Sequence, residues 1–181
     1  VLVGQNTFAK DDPRLTVPKG SPSLVAGKPW KIAMVSAKGW SQEARIFSDD
    51  RLTILVFSEK HLGTLAKKMK ARKGTSMLLP VKEKNGRVVV PELLRKLAAL
   101  GVSKLLVEGG GELAWSFLEA GCVDRAVWIM APKIFGGRDA KTSVEGPGVK
   151  APAQAFLFCP EKVTRLGEDW IFEGVFQKKG H

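Results

Sequence analysis

Val107-Glu108-Gly109-Gly110-Gly111-Glu112-Leu113 is the stretch that decides how this chain is read. A short apolar run, 104–107, leads into the glycines. A helical pattern follows over 112–120, with Leu113, Phe117 and Leu118 facing inward and Gly121 at its end. A strand that passes into a helix through glycines lets backbone N–H groups approach an anion at the positive helix end, so a pyrophosphate fits. A tight turn with positive φ is the simpler use of glycine there. Three glycines in a row exceed that need and favour phosphate binding. The spacing matches neither a G-x-G-x-x-G fingerprint nor a P-loop. Glu108 lies at the carboxyl edge of its strand, where α/β sheets place ligands, although a solvated carboxylate beside a helix start is equally consistent with the position.

Working outward, strand-length apolar runs recur at 1–3, 31–35, 52–57, 76–81 and 125–130. Between the third and fourth of these, Ser58 can cap a helix over 59–71 with Leu62, Leu65, Ala66 and Met69 on one face, ended by Gly74. Residues 87–90 lead into Pro91, which opens a second helix with Leu93, Leu94, Leu97 and Leu100 on its stripe and Gly101 as its stop. Residues 132–148 form a long Gly- and Pro-rich loop, of a length that is usually functional or mobile. The tail reads as a hairpin, 162–166 and 170–177, about Gly167-Glu168-Asp169. Alternating strands and helices with a closing hairpin predict a three-layer α/β/α domain whose sheet is mostly parallel with an antiparallel edge. No second domain, internal repeat or low-complexity segment is visible.

The whole chain has 181 residues, 44% hydrophobic and 26% charged, which suits one globular domain with a real core. No apolar run approaches the roughly 18 residues that cross a bilayer, and no leader pattern is present. Cys122 and Cys159 do not make a disulfide framework, so a cytoplasmic protein with reduced thiols is expected. His61 and His181 have no ligand partners at metal spacing, and no metal is expected. The charge is the first functional hint: 29 Lys and Arg against 18 Asp and Glu give a formal +11. A basic domain attracts nucleic acids, phosphorylated metabolites and dinucleotide cofactors alike. Lys67, Lys68, Lys70, Arg72 and Lys73 read as a solvated helix end. Nine Phe and five Trp sit mostly in apolar segments, without interleaving with those cations as a single-strand binder would require. A nucleic-acid-binding module therefore rests on net charge alone.

A second segment changes the balance: Val3-Gly4-Gln5-Asn6-Thr7-Phe8-Ala9-Lys10-Asp11-Asp12-Pro13-Arg14-Leu15-Thr16. With the glycine turn, with Asp124, and with Ala131-Pro132-Lys133-Ile134-Phe135-Gly136-Gly137, it gives four motifs in one order over most of the chain. Together they resemble the RibD C-terminal reductase family of riboflavin biosynthesis. There the corresponding segments read V-G-x-x-T-x-x-x-D-D-P-x-L-T, L-x-E-G-G and D-E-x-x-x-x-x-A-P-x-x-x-G-G.

The resemblance implies a dihydrofolate-reductase-like fold. It also implies NADPH-dependent reduction of the ribosyl group of 5-amino-6-(5-phosphoribosylamino)uracil to ribityl, by a homodimer. Another dihydrofolate-reductase-like NADPH reductase is the alternative within the same fold. By position, Thr7, Asp11, Gly110, Gly111, Glu112, Leu113, Ala114, Trp115 and Ser116 would contact the cofactor, and Leu15 and Glu108 the phosphorylated pyrimidine. For the cofactor 2′-phosphate, Ser36 with Lys38 lies just past a strand end, as Ser58 also does, and the resemblance favours the first pair.

Two departures stand out. Pro18 occupies the place of a family Arg expected on the substrate phosphate, with Lys19 beside it as a point-charge substitute. The family's opening strand segment, K-x-A-x-S-L-D-G, is absent, and the chain starts on Val1 as though inside a buried strand. Residues 1–181 are thus expected to be a reductase domain lacking that strand, either a piece of a longer or processed protein or a degraded and inactive copy. The zinc deaminase that precedes the reductase in larger bacterial members has neither of its motifs, H-x-E and P-C-x-x-C, within these residues.

Overall fold

The structure, a computed structural model, describes residues 1–16, 29–36, 41–70 and 75–177, with the backbone alone for 68–70. The chain divides into two compact units, Val1–Gly110 and Gly111–His181.

The first unit is built on a five-stranded sheet. Its strands are β1 (Leu2–Val3), β2 (Lys31–Met34), β3 (Thr53–Ser58), β4 (Ser76–Val81) and β7 (Val107–Glu108), in the order β4-β3-β2-β1-β7 with every pairing parallel. In-register residues alternate between two buried faces. Val3, Ala33 and Leu55 share one face with Val35 and Phe57, under Phe8, Ile46 and Leu65. Leu2, Ile32 and Ile54 take the other and are equally buried. Both faces are therefore covered, as an α/β/α layering requires. Pro80 sits on β4, the outer strand, where its missing N–H costs no ladder bond.

Helix α1 (Gln5–Asp11) follows β1 and buries Phe8 in that core. The helix expected over 59–71 is a 3-10 turn, Glu59–His61, continued by α2 (Leu62–Lys70). Ser58 precedes it without a side-chain capping bond, and Leu62 is exposed while Leu65 is buried, so the inward stripe starts one turn late. Met69 and Gly74 lie outside the described side chains. Helix α3 (Val90–Ala99) buries Leu93 and Leu97 but leaves Leu94 and Leu100 half-buried. It stops at Gly101, whose φ of 98° lets the Val102 N–H return to the Leu97 carbonyl. Ahead of α3 the structure adds a small hairpin, β5 (Glu83–Lys84) and β6 (Arg87–Val88), about Asn85-Gly86, both at positive φ.

In the second unit α4 (Gly111–Glu119) is followed by β8 (Ala126–Met130), β9 (Phe158–Leu166) and β10 (Asp169–Phe176). The C-terminal hairpin is antiparallel, as expected, but it begins at Phe158 and joins β8 in a three-stranded sheet of its own, ordered β8-β10-β9. The ladder slips between Glu173 and Gly174, and a Cβ at Gly174 would overlap the Cys159 carbonyl, which fixes glycine at the bulge.

The amino-terminal rim of the parallel sheet holds an ionic cluster. Lys31 opens β2 with its side chain fully buried, and its ammonium donates to the Ile46 carbonyl and to Asp49 Oδ1, the latter at 2.7 Å. Arg51 donates to the same carboxylate through Nε and Nη2, at 3.0 and 2.8 Å to Oδ2, and through Nη2 to the Leu15 carbonyl at 2.8 Å. Such bonds make burial of a lysine tolerable. The Arg51 hydrogen bonds first, and those of Lys31 after them, hold the Asp49 carboxyl far below the usual carboxylate range.

Removing that carboxylate leaves two buried cations facing each other. Asp49→Asn is expected to lower unfolding stability by about 2 kcal/mol or more in urea titration at pH 7. A carboxyl depressed in the folded state contributes fully above its unfolded value near 4 and loses that contribution as pH falls. The gap between the native protein and the variant should accordingly narrow on acidification below about pH 4. A gap that stays constant with pH would show that the carboxylate's charge is not what matters.

Candidate active site

From β1 the chain runs to β2, β3 and β4 on one side, then returns to place β7 on the other. The carboxyl ends of β1 and β7 therefore flank a topological switch point, where open α/β sheets leave a crevice. Val3 pairs with Glu108, so the residues that follow, Gly4 and Gly109, leave the sheet side by side. α1 starts at Gln5, its first turn closed by the Phe8 N–H to the Gly4 carbonyl at 2.9 Å, and this sets Thr7 over the glycine turn. The Gly110 N–H points to Thr7 Oγ1 at 3.4 Å. Thr7 and Gly110, 103 residues apart, are thus brought together.

The three glycines have different reasons to be there. Gly109 has φ of 120°, and a Cβ on it would stand 2.8 Å from Thr7 Oγ1 and 3.4 Å from the Gly4 nitrogen. Both backbone conformation and space exclude any other residue. Gly110 has neither constraint: a Cβ there would meet nothing within 4 Å. Gly111, the first residue of α4, lies under Glu145, whose backbone nitrogen and Cγ would each be 2.5 Å from a Cβ. Two of the three glycines are explained by packing. Gly110 is exposed to open space, with its N–H on the Thr7 hydroxyl.

Around this turn the other expected residues take varied positions. Glu108 is exposed at the end of β7. Asp11 is exposed at the last position of α1, one turn from Thr7 and on the same side. Its neighbour Asp12, in left-handed conformation, accepts the Arg45 backbone N–H at 2.8 Å and so anchors the segment instead. Leu15 packs its side chain against the core of the first unit and gives its carbonyl to Arg51. Ser36 is half-buried two residues beyond the last β2–β3 pair, Met34 with Val56, which puts it level with Ser58 on the same sheet edge. The Glu83 carboxyl is held below its ordinary value first by Lys60. Ser58 Oγ is buried with no hydrogen-bond partner among the described residues, whereas Ser36 is half-buried. Lys19, Pro18 and Lys38 lie outside the described residues.

In the second unit, the first turn of α4 carries Glu112 and presents the backbone N–H groups that open the helix. Leu113 and Trp115 are buried and Ala114 and Ser116 half-buried, and Ser116 Oγ donates back to the Glu112 carbonyl at 2.9 Å. Leu113 and Trp115 are core side chains; their route to a ligand is through the backbone. The long loop after β8 is packed on this helix: a Cβ at Gly146 would be 2.7 Å from the Trp115 ring, and Phe156 meets that ring edge-on at 5.8 Å. The sequence reading missed Gly4, Glu145 and Gly146. Gly146 has the signal of a glycine following an acid in a Gly- and Pro-rich loop, but nothing local says which helix it meets. Among the described residues no group of three or more His, Cys, Asp or Glu side chains could hold a metal ion.

Comparison with known proteins agrees with this geometry. Residues 1–172 match the RibD C-terminal domain. The 2,5-diamino-6-ribosylamino-4(3H)-pyrimidinone 5′-phosphate reductase of Methanothermobacter thermautotrophicus is 32% identical over 173 residues, 96% of this chain and 77% of that protein. The riboflavin biosynthesis protein RibD of Aquifex aeolicus is 33% identical over 171 residues, 94% of this chain and 44% of that one. Among solved structures, Acinetobacter baumannii RibD superposes with a TM-score of 0.72 at 17% identity, covering 97% of this chain and 46% of its own. The riboflavin biosynthesis reductase Rib7 of Saccharomyces cerevisiae gives 0.69 at 17%, covering 97% and 74%. The structural likeness establishes the shared, dihydrofolate-reductase-like fold. The chain spans less than half of these bacterial RibD proteins and about three quarters of the archaeal and yeast reductases. By the match along nearly its whole length, the chain belongs to the RibD C-terminal domain family.

Proposed function

We propose that this chain is the reductase domain of a riboflavin-pathway enzyme, using NADPH to reduce the ribosyl group of 5-amino-6-(5-phosphoribosylamino)uracil to ribityl. The observation that carries the reading is the exposed Gly110 N–H on the Thr7 hydroxyl, at the switch point of a parallel sheet. When bound, NADPH supplies a hydride to C1′ of the ribosyl group, the C1′–O4′ bond breaking as O4′ takes up a proton. Thr7 accepts the Gly110 N–H and keeps its own hydroxyl proton to donate to a phosphate oxygen. The family resemblance carries Gly111, Glu112 and Leu113 to the cofactor as well. Asp11, an exposed carboxylate, suits a ribose hydroxyl rather than a phosphate.

Ser36, with Lys38, meets the 2′-phosphate in this reading, and Lys19 takes the place of the family arginine on the substrate phosphate. Glu108 grips a polar group of the substrate: a carboxylate one residue before the turn accepts strongly from a ring or sugar donor. The domain acts in the cytoplasm as a homodimer; Ile134 and Phe135, adjacent and almost wholly exposed, form an apolar pair that a second copy would cover. No helix among the described residues is long and apolar enough to cross a membrane. The diaminopyrimidinone named for the archaeal relative is the substrate to test alongside the uracil.

Because a side chain at Gly110 has room, Gly110→Val should fold normally while raising the NADPH dissociation constant at least about tenfold, near 1.4 kcal/mol. Fluorescence titration measures this, and an unchanged constant in a folded variant would overturn a phosphate contact there. Glu108→Gln keeps the shape but loses the charge, so KM for substrate should rise with kcat changed less than about tenfold. A fall in kcat of about 10²-fold with KM intact, and loss of a limb of the pH profile, would instead make Glu108 the proton donor. Steady-state rates should favour NADPH over NADH, and Ser36→Ala should narrow that preference by about three- to tenfold, the worth of one hydrogen bond. Equal use of both cofactors by the native protein would count against a 2′-phosphate site.

A further inference from the structure

Three non-glycine residues among those described have positive φ, and two of them lie close together, Asp12 at 41° and Leu15 at 50°. The third, Asn85, sits in a tight hairpin turn, where such a conformation is usual. For a leucine the left-handed region is costly, and it persists only where the surroundings impose it. Here two bonds impose it. The Asp12 carboxylate accepts the Arg45 N–H at 2.8 Å, and the Leu15 carbonyl accepts from Arg51 Nη2 at 2.8 Å. Arg51 is buried and is itself fixed: Nε and Nη2 lie on Asp49 Oδ2 at 3.0 and 2.8 Å, and Nη1 faces the Pro29 carbonyl at 3.5 Å. With the rest of the planar fork so engaged, the second hydrogen of Nη2 has one direction left, towards Leu15. Asp49 alone neutralises the guanidinium, so the bond to Leu15 is more than charge balance requires.

We propose that Arg51 is a positioning residue of the reductase reaction, which holds Leu15 in place for the phosphorylated pyrimidine while touching neither substrate nor cofactor. The proposal rests on the reductase reading and on the place of Leu15 among the substrate contacts. The Leu15 side chain is packed against the core and its carbonyl is bonded to Arg51, so the surface the residue offers a ligand has one orientation. Release of the carbonyl lets the backbone relax towards negative φ and turns that surface away. Thr7 and Gly110 are set by the pairing of β1 with β7 instead, so the cofactor contact does not depend on Arg51.

Arg51→Lys tests this, because lysine keeps the charge beside Asp49 but lacks the fork that reaches both partners. Steady-state rates with NADPH and each pyrimidine are measured at a temperature where circular dichroism shows the variant folded. KM for the pyrimidine should rise at least about fivefold with kcat changed less than about threefold, the pattern of lost uniform binding, while the NADPH dissociation constant changes less than about twofold. In a Leu15→Ala background, where the positioned side chain is trimmed, adding Arg51→Lys should raise KM by less than about twofold more. Asp49→Glu keeps every charge and displaces the fork by one methylene, so it should move KM in the same direction; it decides the matter if Arg51→Lys does not fold. An unchanged KM in a folded variant, equal effects on KM and on NADPH binding, or additive effects of Leu15→Ala and Arg51→Lys would each overturn the proposal and leave the reductase reading standing. A native protein that reduces neither pyrimidine with NADPH would overturn that reading, and this proposal with it.

Discussion

Everything at the candidate site hangs on the parallel register of a two-residue strand. Leu2 and Val3 are hydrogen-bonded on both sides, to Ile32 and Ala33 of β2 and to Val107 and Glu108 of β7. That register makes the chain leave the sheet at Gly4 and at Gly109 at the same level, although the two are more than a hundred residues apart. Once they emerge together, α1 has only one place to go, and Gly109 must lack a side chain for Thr7 to close over the turn. β2 is in turn fixed from its far end, where Lys31 is held by Asp49 and Ile46. Stability is thus invested at one rim of the sheet and chemistry displayed at the other, as expected where ligands lie beyond the carboxyl ends of parallel strands.

Much of this arrangement was legible in the residues, for specific reasons. The parallel strands announce themselves because both faces are buried: Ile54, Leu55, Val56 and Phe57 are apolar in succession, which a one-sided strand would not be. The helix stops at Gly101 and Gly121 are glycines at positive φ. What stayed hidden depends on tertiary context. Lys31 reads as the polar start of a strand, and nothing near it says that it is buried, because its partners come 15 and 18 residues later. The hairpin about Asn85-Gly86 carried a turn signal of its own and was not read, since its strands are only two residues long. The hairpin at the C-terminus was recognised as a pair, but its third strand, β8, looked from the sequence like one more parallel strand.

The glycine run shows how a sequence motif and a structure divide an explanation. From the sequence, three consecutive glycines exceed the needs of a turn, and the excess is assigned to a phosphate. In the structure Gly109 answers to Thr7 and Gly4, and Gly111 answers to Glu145, a residue of the long loop that nothing in the motif foretells. Packing therefore absorbs two thirds of the signal. The remainder becomes sharper for it, because Gly110 is a glycine for which the fold gives no reason. A residue whose smallness nothing in the protein requires is where a ligand's requirement is best sought.

The chain's formal +11 and the short-range groups of this site act over different distances. Surface cations raise the local concentration of phosphorylated ligands and steer them, yet beyond about 8–10 Å salt screens their influence. That field cannot tell one phosphate from another. Discrimination has to come from donors with fixed directions, and a backbone N–H on a glycine turn and a threonine hydroxyl held by its own first turn are such donors. Net charge draws anions of every kind; only donors with fixed directions can tell them apart.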